Sequence, residues 1–161
     1  MKTAVNTSAN SEFAPNLLVG LREEFEQCIL AWQTTSENMP TIWVDRKDLT
    51  SILIYLRDKA EPRFEMLFDI TAIDERVRVH RLGQPESEFS VVYHLMSFSG
   101  NRDFRIKVPL MDADLNIPSV VSLWPSANWY ERETWDMFGI NFEGHPNLYR
   151  IVLPPTWEGH A

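Results

Sequence analysis

RFEMLFDITAID at residues 63–74, EFSVVYHLMSFS at 88–99 and RDFRIKVPL at 102–110 are the stretches that decide the fold. Each is rich in β-branched and aromatic residues, the chemistry that suits a pleated, half-buried surface. The polar run RVRVHRLGQPES (76–87), with Gly83 and Pro85, reads as the loop joining the first two, and Gly100-Asn101 as the turn before the third. Three consecutive strands separated by turns predict a meander. Upstream, CILAWQTT (28–35) and PTIWVD (40–45) surround a polar turn at Ser36 to Met39 and predict a hairpin.

Two helices fit around these strands. Leu17, Leu18, Leu21 and Phe25 recur on one face behind Pro15, a residue tolerated in a first helical turn. Leu49, Ile52, Leu53 and Leu56 repeat at three- and four-residue steps after Asp45 or Asp48, either of which can cap; Pro62 lies beyond the expected end near Lys59. The order is helix, two strands, helix, three strands: an α+β two-layer sandwich, α-β(2)-α-β(3), with helices on one face of a mixed or antiparallel sheet. In WYERETWDMFG (129–139) a third helix of about three turns is expected. Ser126 or Asn128 would cap it, Asn128 and Glu131 would form a capping box, and Gly139 would stop it. INFEGHPNLYRIVLPPTWEGHA (140–161) contains Gly144, Pro146, Pro154, Pro155 and Gly159 and reads as an irregular tail. The expected organisation is a leader at 1–12, the α+β domain at 13–138 and a docking tail at 139–161.

Composition excludes several function classes. At 161 residues the chain is one domain, and 15 basic against 23 acidic residues give a net charge of −8. Such a domain has little to exchange for the counterions of a nucleic acid or an anionic membrane. Cys28 is the single cysteine, too few for a disulfide, a Cys-rich zinc site or an iron–sulfur cluster. Neither G-x-G-x-x-G nor G-x-x-x-x-G-K-[ST] nor G-x-S-x-G occurs. Neither a signal peptide nor a run long enough to cross a membrane is legible, so the chain reads as cytoplasmic.

The densest polar group is Glu131, Arg132, Glu133, Asp136 and His145. Paired carboxylates with a histidine shuttle would suit acid/base work or, with His160, a metal. The blander and favoured reading is an ion-pair network locking helix to tail: Arg132 and Asp136 stand one turn apart, and Arg150 can reach back once Gly139 and Gly144 reverse the chain. His94, within a strand, reads as structural, and Cys28 as an inert core thiol. Trp124, Trp129, Trp135 and Trp157 fall in the C-terminal third; Trp135 and Phe138 read as core, and Trp157 as an interface anchor.

ANWYERETWDMFGINFEGHPNLYRIVLPPTWEGH (127–160) closely resembles the E-R-E-x-x-D-[apolar]-F-G-[IV]-x-F-x-G-H-P signature of the C subunit of bacterial NADH:quinone oxidoreductase, respiratory complex I, the 30 kDa subunit family. The likeness extends upstream through FEMLFDITAIDERVRVHRLG, EFSVVYHLMSFSGNRDFRIKV and DLNIPSVVSLWP, and is greatest to the form in which the C and D subunits are fused. It implies the same α-β(2)-α-β(3) fold in a non-catalytic structural subunit of the hydrophilic arm, or of a related membrane-bound hydrogenase assembly. That subunit is peripheral to the cytoplasmic side of the membrane and packs against the D subunit and neighbouring iron–sulfur subunits. NADH, FMN, iron–sulfur clusters and quinone then belong to the whole complex. It further implies a structural or docking role for Glu131, Arg132, Glu133, Asp136, Phe138, Gly139, Gly144, His145, Pro146, Arg150 and Trp157. Family members often carry a basic residue where this chain has Tyr149, which implies altered charge pairing there. They commonly continue Pro-Leu-Arg-Lys-Asp after Gly-His, whereas Ala161 follows His160 here, as in a piece of a longer C/D polypeptide or a stand-alone form. A small metal- or acid/base-dependent enzyme using Glu131, Glu133, Asp136 and His145 is the alternative.

With so few thiolates and no dinucleotide loop, the purified chain is expected to be colourless and unable to oxidise NADH. An absorbance spectrum with a stoichiometric flavin or cluster band would contradict this.

Overall fold

A computed structural model describes residues 15–33, 35 and 39–161. The expected leader, and residues 36–38 of the expected turn, lie outside them. α1 (Pro15–Phe25), β1 (Ile29–Gln33), β2 (Thr41–Val44), α2 (Arg46–Asp58), β3 (Met66–Asp74), β4 (Phe89–Ser97) and β5 (Arg102–Leu110) follow the predicted order. After them come β6 (Asn116–Pro118), α3 (Ala127–Phe138) and β7 (Asn141–Glu143). The main sheet has the order β1-β2-β5-β4-β3, with β2 and β5 parallel and every other pair antiparallel. It is therefore mixed. β3, β4 and β5 form the expected meander.

The sheet's period of two divides it into two unlike faces. Register sets Leu95 opposite Phe104, Tyr93 opposite Ile106 and Val91 opposite Val108, and these six are fully buried in one apolar cluster. Leu17, Leu21, Leu49, Ile52, Leu53, Leu56 and Ala127 complete that cluster from the three helices, so all three cover the same face. The other face carries Trp43, Lys107, Arg105, Val92 and His94, and the 75–88 loop lies against part of it.

Local chemistry explains where elements begin and turn. Asp45 is the N-cap of α2: its carboxylate accepts from the Lys47 N–H at 2.9 Å, while Asp48 sits inside the first turn. At the β4–β5 turn Asn101 adopts φ 46°, a left-handed conformation that asparagine tolerates. Gly100 is required there by space, since a Cβ would stand 2.3 Å from Pro62 Cγ. Cys28 lies in the turn before β1, not within the strand, and burial raises its thiol's pKa. The tail corrects the sequence reading in one respect: residues 141–143 pair in parallel with 116–118, giving a two-stranded sheet where irregular chain was expected. Three-residue strands carry too little periodicity to read.

Asp45→Ala removes a single capping bond on an exposed helix end and is expected to lower unfolding free energy by about 1 kcal/mol in urea titration, with an unchanged m-value.

Candidate functional site

α3 is entered from a turn and needs no side-chain cap. The Ala127 and Asn128 N–H groups donate to the Trp124 and Pro125 carbonyls at 3.0 and 3.2 Å, and Ser126 is helical in φ and ψ with no side-chain bond. The expected capping box is absent for this reason: the first donors of the helix already have backbone partners, which frees Glu131 for another use. Its carboxylate accepts from the Val120 N–H and the Ser119 hydroxyl, both at 2.6 Å, and so pins the segment between β6 and α3. Glu131 is fully buried. Burial pushes its pKa from the usual 4.5 to about 7, against the pull of those two bonds.

His145 stands beside it with its side chain 1% exposed and Nε2 4.0 Å from the carboxylate. The ring is spoken for on both sides: Nε2–H donates to the Asn128 carbonyl at 3.1 Å, and Nδ1 accepts from the Asn147 N–H at 3.0 Å. An Nδ1 that accepts carries no proton, so the histidine fastens the residues after β7 to the start of α3.

Arg132 does not pair with Asp136, contrary to expectation. It is buried between two rings, its guanidinium carbon 3.5 Å from the Tyr149 centroid and 4.8 Å from that of Trp129, and Nε donates to the Tyr149 carbonyl at 3.1 Å. Tyr149 thus supplies a π-face where the family resemblance implies a charge, and the arginine is held by stacking. Asp136 turns to the tail instead, because four donors converge on it there. Oδ1 accepts from Arg150 Nη1 at 2.6 Å; Oδ2 accepts from the N–H groups of Ile151, Val152 and Leu153 at 3.0, 2.8 and 3.0 Å. Burial alone would raise the Asp136 pKa, but the backbone donors and Arg150 together hold it down at about 2.

The end of the tail returns to the end of the helix. Gly139, at φ 75°, donates to the Trp135 carbonyl; His160 Nδ1–H and the Ala161 N–H donate to the carbonyls of Asp136 and Met137 at 3.1 Å each. Arg150 Nη2 donates to the Gly159 carbonyl. Gly139 is doubly constrained, since a Cβ would meet the His160 ring at 2.9 Å. Phe138 packs against the core, Gly144 makes its left-handed turn in open space, and Pro146 is exposed. Glu133 also faces solvent. Trp157 is half exposed, as are Tyr149 and Val152, and Trp129 more so.

The four residues of the acid/base alternative are not gathered around one open cleft. The side chains of Glu131 and His145 are sealed from solvent, Asp136 is occupied by four donors, and Glu133 is exposed. Among the described residues no group of three or more His, Cys, Asp and Glu is placed to hold a metal ion. His94 has Nε2 3.4 Å from Asp103 Oδ1 and its ring beside Phe68. What remains is a helix whose charged residues secure a tail that turns aromatic residues outward.

A two-layer α+β domain of this kind is a class met among subunits of respiratory complexes, as the comparisons show. Residues 42–161 match the model of the family described as respiratory-chain NADH dehydrogenase, 30 Kd subunit. The fused C/D subunit of the NADH-quinone oxidoreductase of Acidiphilium cryptum (strain JF-5) is 50% identical over 160 residues, 99% of this chain and 27% of that protein. Its counterpart in Acinetobacter baylyi (strain ATCC 33305 / BD413 / ADP1) is 59% identical over 128 residues, 80% and 21% of the two chains. A solved trypsin-resistant fragment (1-134) of Nqo5 superposes with a TM-score of 0.69 at 30% identity, covering 83% of this chain and 99% of that one. A chain of the archaeal membrane-bound sulfane sulfur reductase, a respiratory membrane complex, superposes at 0.59 with 25% identity, covering 80% and 69%. The chain belongs to the 30 kDa subunit family of respiratory-chain NADH dehydrogenase. It spans about a quarter of the length of the curated relatives it matches.

Glu131 generates a pH prediction. Its pKa is higher folded than unfolded, so the stability linked to it is fully present below about pH 4.5 and is lost as pH rises through about 7. The shift corresponds to roughly 3 kcal/mol. Between pH 5 and 8 the unfolding free energy of Glu131→Gln is expected to fall less than that of the parent chain, as followed by urea titration; parallel profiles would refute the assignment.

Proposed function

We propose that the chain is the C-subunit portion of an NADH:quinone oxidoreductase and acts there as a structural element of the hydrophilic arm, docking through its C-terminal tail. The observation that carries this reading is the Asp136 clamp. Three successive tail N–H groups and Arg150 are held on one buried carboxylate, and Trp129, Tyr149, Val152 and Trp157 are left facing outward. Half-exposed tryptophan and tyrosine beside arginine are the side chains that anchor protein interfaces.

The curated relatives carry both parts in one polypeptide, which makes the D portion the partner of choice, with neighbouring iron–sulfur subunits beyond it. NADH oxidation, flavin, clusters and quinone reduction are assigned to the rest of the complex, and the chain supports electron transfer by holding parts in register. Among the described residues no helix is long and apolar enough to cross a membrane, which suits a peripheral position on the cytoplasmic side, reached through partners.

Arg132→Ala removes a desolvated stacking contact and a bond to the Tyr149 carbonyl, and is expected to destabilise the chain by about 2 kcal/mol. In the full complex purified from native membranes, quinone reductase activity should fall in proportion to the amount assembled. Trp157→Ser, at an exposed position, should leave the chain's own stability within about 0.5 kcal/mol of the parent and still reduce assembly. Normal assembly yield of Arg132→Ala with collapsed activity per complex would mean a chemical role and defeat the scaffold reading.

A further inference from the structure

The face of the sheet turned away from the core holds a second feature, unconnected with the tail. Between the 75–88 loop and strands β1, β3 and β5 lies a cavity of about 190 Å³ lined by Arg78, Arg81, Arg105 and Lys107 together with Gln33 and Gln84. Four cations meet here in a chain whose net charge is −8. The one carboxylate in the lining, Glu75, is already engaged: it is buried, accepts from the Ser90 hydroxyl at 2.7 Å and lies 3.9 Å from Arg78.

Two further groups of the pocket favour an acceptor. Gln84 Oε1 accepts from the Arg81 N–H, but its buried Nε2 has no partner. Lys107 lies with Nζ 5.1 Å from the centroid of the buried Trp43 ring, and its pKa is lowered by burial. A buried donor without an acceptor and a desolvated ammonium both gain from the arrival of an anion.

The rim is apolar. Val77 is 89% exposed and Val79 97%, and Leu82 is as accessible as in an extended peptide. They alternate with Arg76, Arg78, His80 and Arg81, so basic and apolar side chains are interleaved along one short loop. The turn at 81–84 is fixed by Gly83 at φ 81° and by a bond from the Gln84 N–H to the Arg81 carbonyl. A site for a free inorganic anion has no use for three wet aliphatic side chains on the loop beside it, whereas a polypeptide covers them.

We propose that this pocket receives the carboxylate of an acidic side chain carried on an extended, acidic and apolar segment of a partner protein, whose apolar neighbours cover Val77, Val79 and Leu82. The carboxylate accepts from Gln84 Nε2 and from the surrounding guanidinium and ammonium groups, and the flanking residues supply burial. This surface is distinct from the tail, and its test requires no other component of a respiratory complex.

The test uses the full chain and a short fluorescein-labelled peptide of alternating glutamate and leucine, followed by anisotropy, beside the same peptide with glutamine for glutamate. Saturable binding of the acidic peptide is expected, weakened about tenfold or more by Arg81→Glu, by the pair Val79→Ser and Leu82→Ser, and by the glutamine peptide. Circular dichroism melting of each variant separates loss of binding from loss of fold. Absence of binding by the acidic peptide overturns the proposal. Equal binding of the two peptides overturns it as well, since apolar contact alone would then suffice. Arg81-dependent binding of inorganic phosphate, measured by calorimetry, without binding of the peptide would make this a small-anion site and not a docking surface.

Discussion

The Asp136 carboxylate is the interaction on which the C-terminal tail depends. A tail without regular hydrogen bonding ordinarily stays mobile, because each ordered residue costs about 1–2 kcal/mol of backbone entropy and has no ladder to offset it. Here the N–H groups of residues 151, 152 and 153 all end on one oxygen, and Arg150 closes the other. The helix supplies a rigid acceptor and the tail supplies the donors. Removing the acceptor would leave Arg150 unpaired and three amides without their protein partner, which makes the cost cooperative and not a sum of small bonds. The return of His160 and Ala161 to the last carbonyls of α3 rests on that geometry, since Arg150 also holds Gly159.

Glu131 and Asp136 show how the same functional group serves two purposes on one helix. Both are fully buried. Glu131 receives one amide and one hydroxyl, and its pKa rises to about 7; Asp136 receives three amides and a guanidinium, and its pKa falls to about 2. Desolvation pushes both upward, so the number and charge of the donors decides the sign. The first carboxylate therefore fastens a segment it can hold when neutral, and the second fastens a tail it holds only as an anion. Arg132, between them in sequence, takes neither as partner and is satisfied by two rings and a carbonyl.

The main sheet and its helices were legible in the sequence because long strands with alternating burial and helices with three- and four-residue apolar repeats carry strong periodic signals. β5 and α2 show it plainly and β3 in part, β4 is instead a mostly buried run of β-branched and aromatic residues, and Asp45 is one of the two residues that could cap α2. The residues of the site were legible as a set but not as pairs. Helical spacing put Arg132 opposite Asp136, and nothing local to α3 reveals that the tail brings four better donors. The capping box failed for a related reason: it presumes an extended entry to the helix, and the Trp124–Pro125 turn provides a helical one. β6 and β7 pair across 25 residues with three-residue strands, which no window can detect. The cationic pocket is visible in the sequence only as the arginines of the polar loop 76–87, because Arg105 and Lys107 come from β5 and meet them only once the loop folds over the sheet.

An acidic surplus and a local cationic pocket are not in conflict. Net charge governs how a molecule meets others at long range, and within about a Debye length of 8–10 Å the local arrangement takes over. A chain at −8 is disfavoured near other acidic proteins except where a cationic surface turns toward them, so one interleaved loop confers orientation as much as affinity. In the proposed docking the tail works by a different rule: its outward Tyr149 and Trp157, with Trp129 of α3, gain from burial whatever the partner's charge, and its Arg150 is spent internally on Asp136. If both proposed surfaces are engaged, an apolar anchor on one element and an electrostatic one on another fix orientation without a large interface at either.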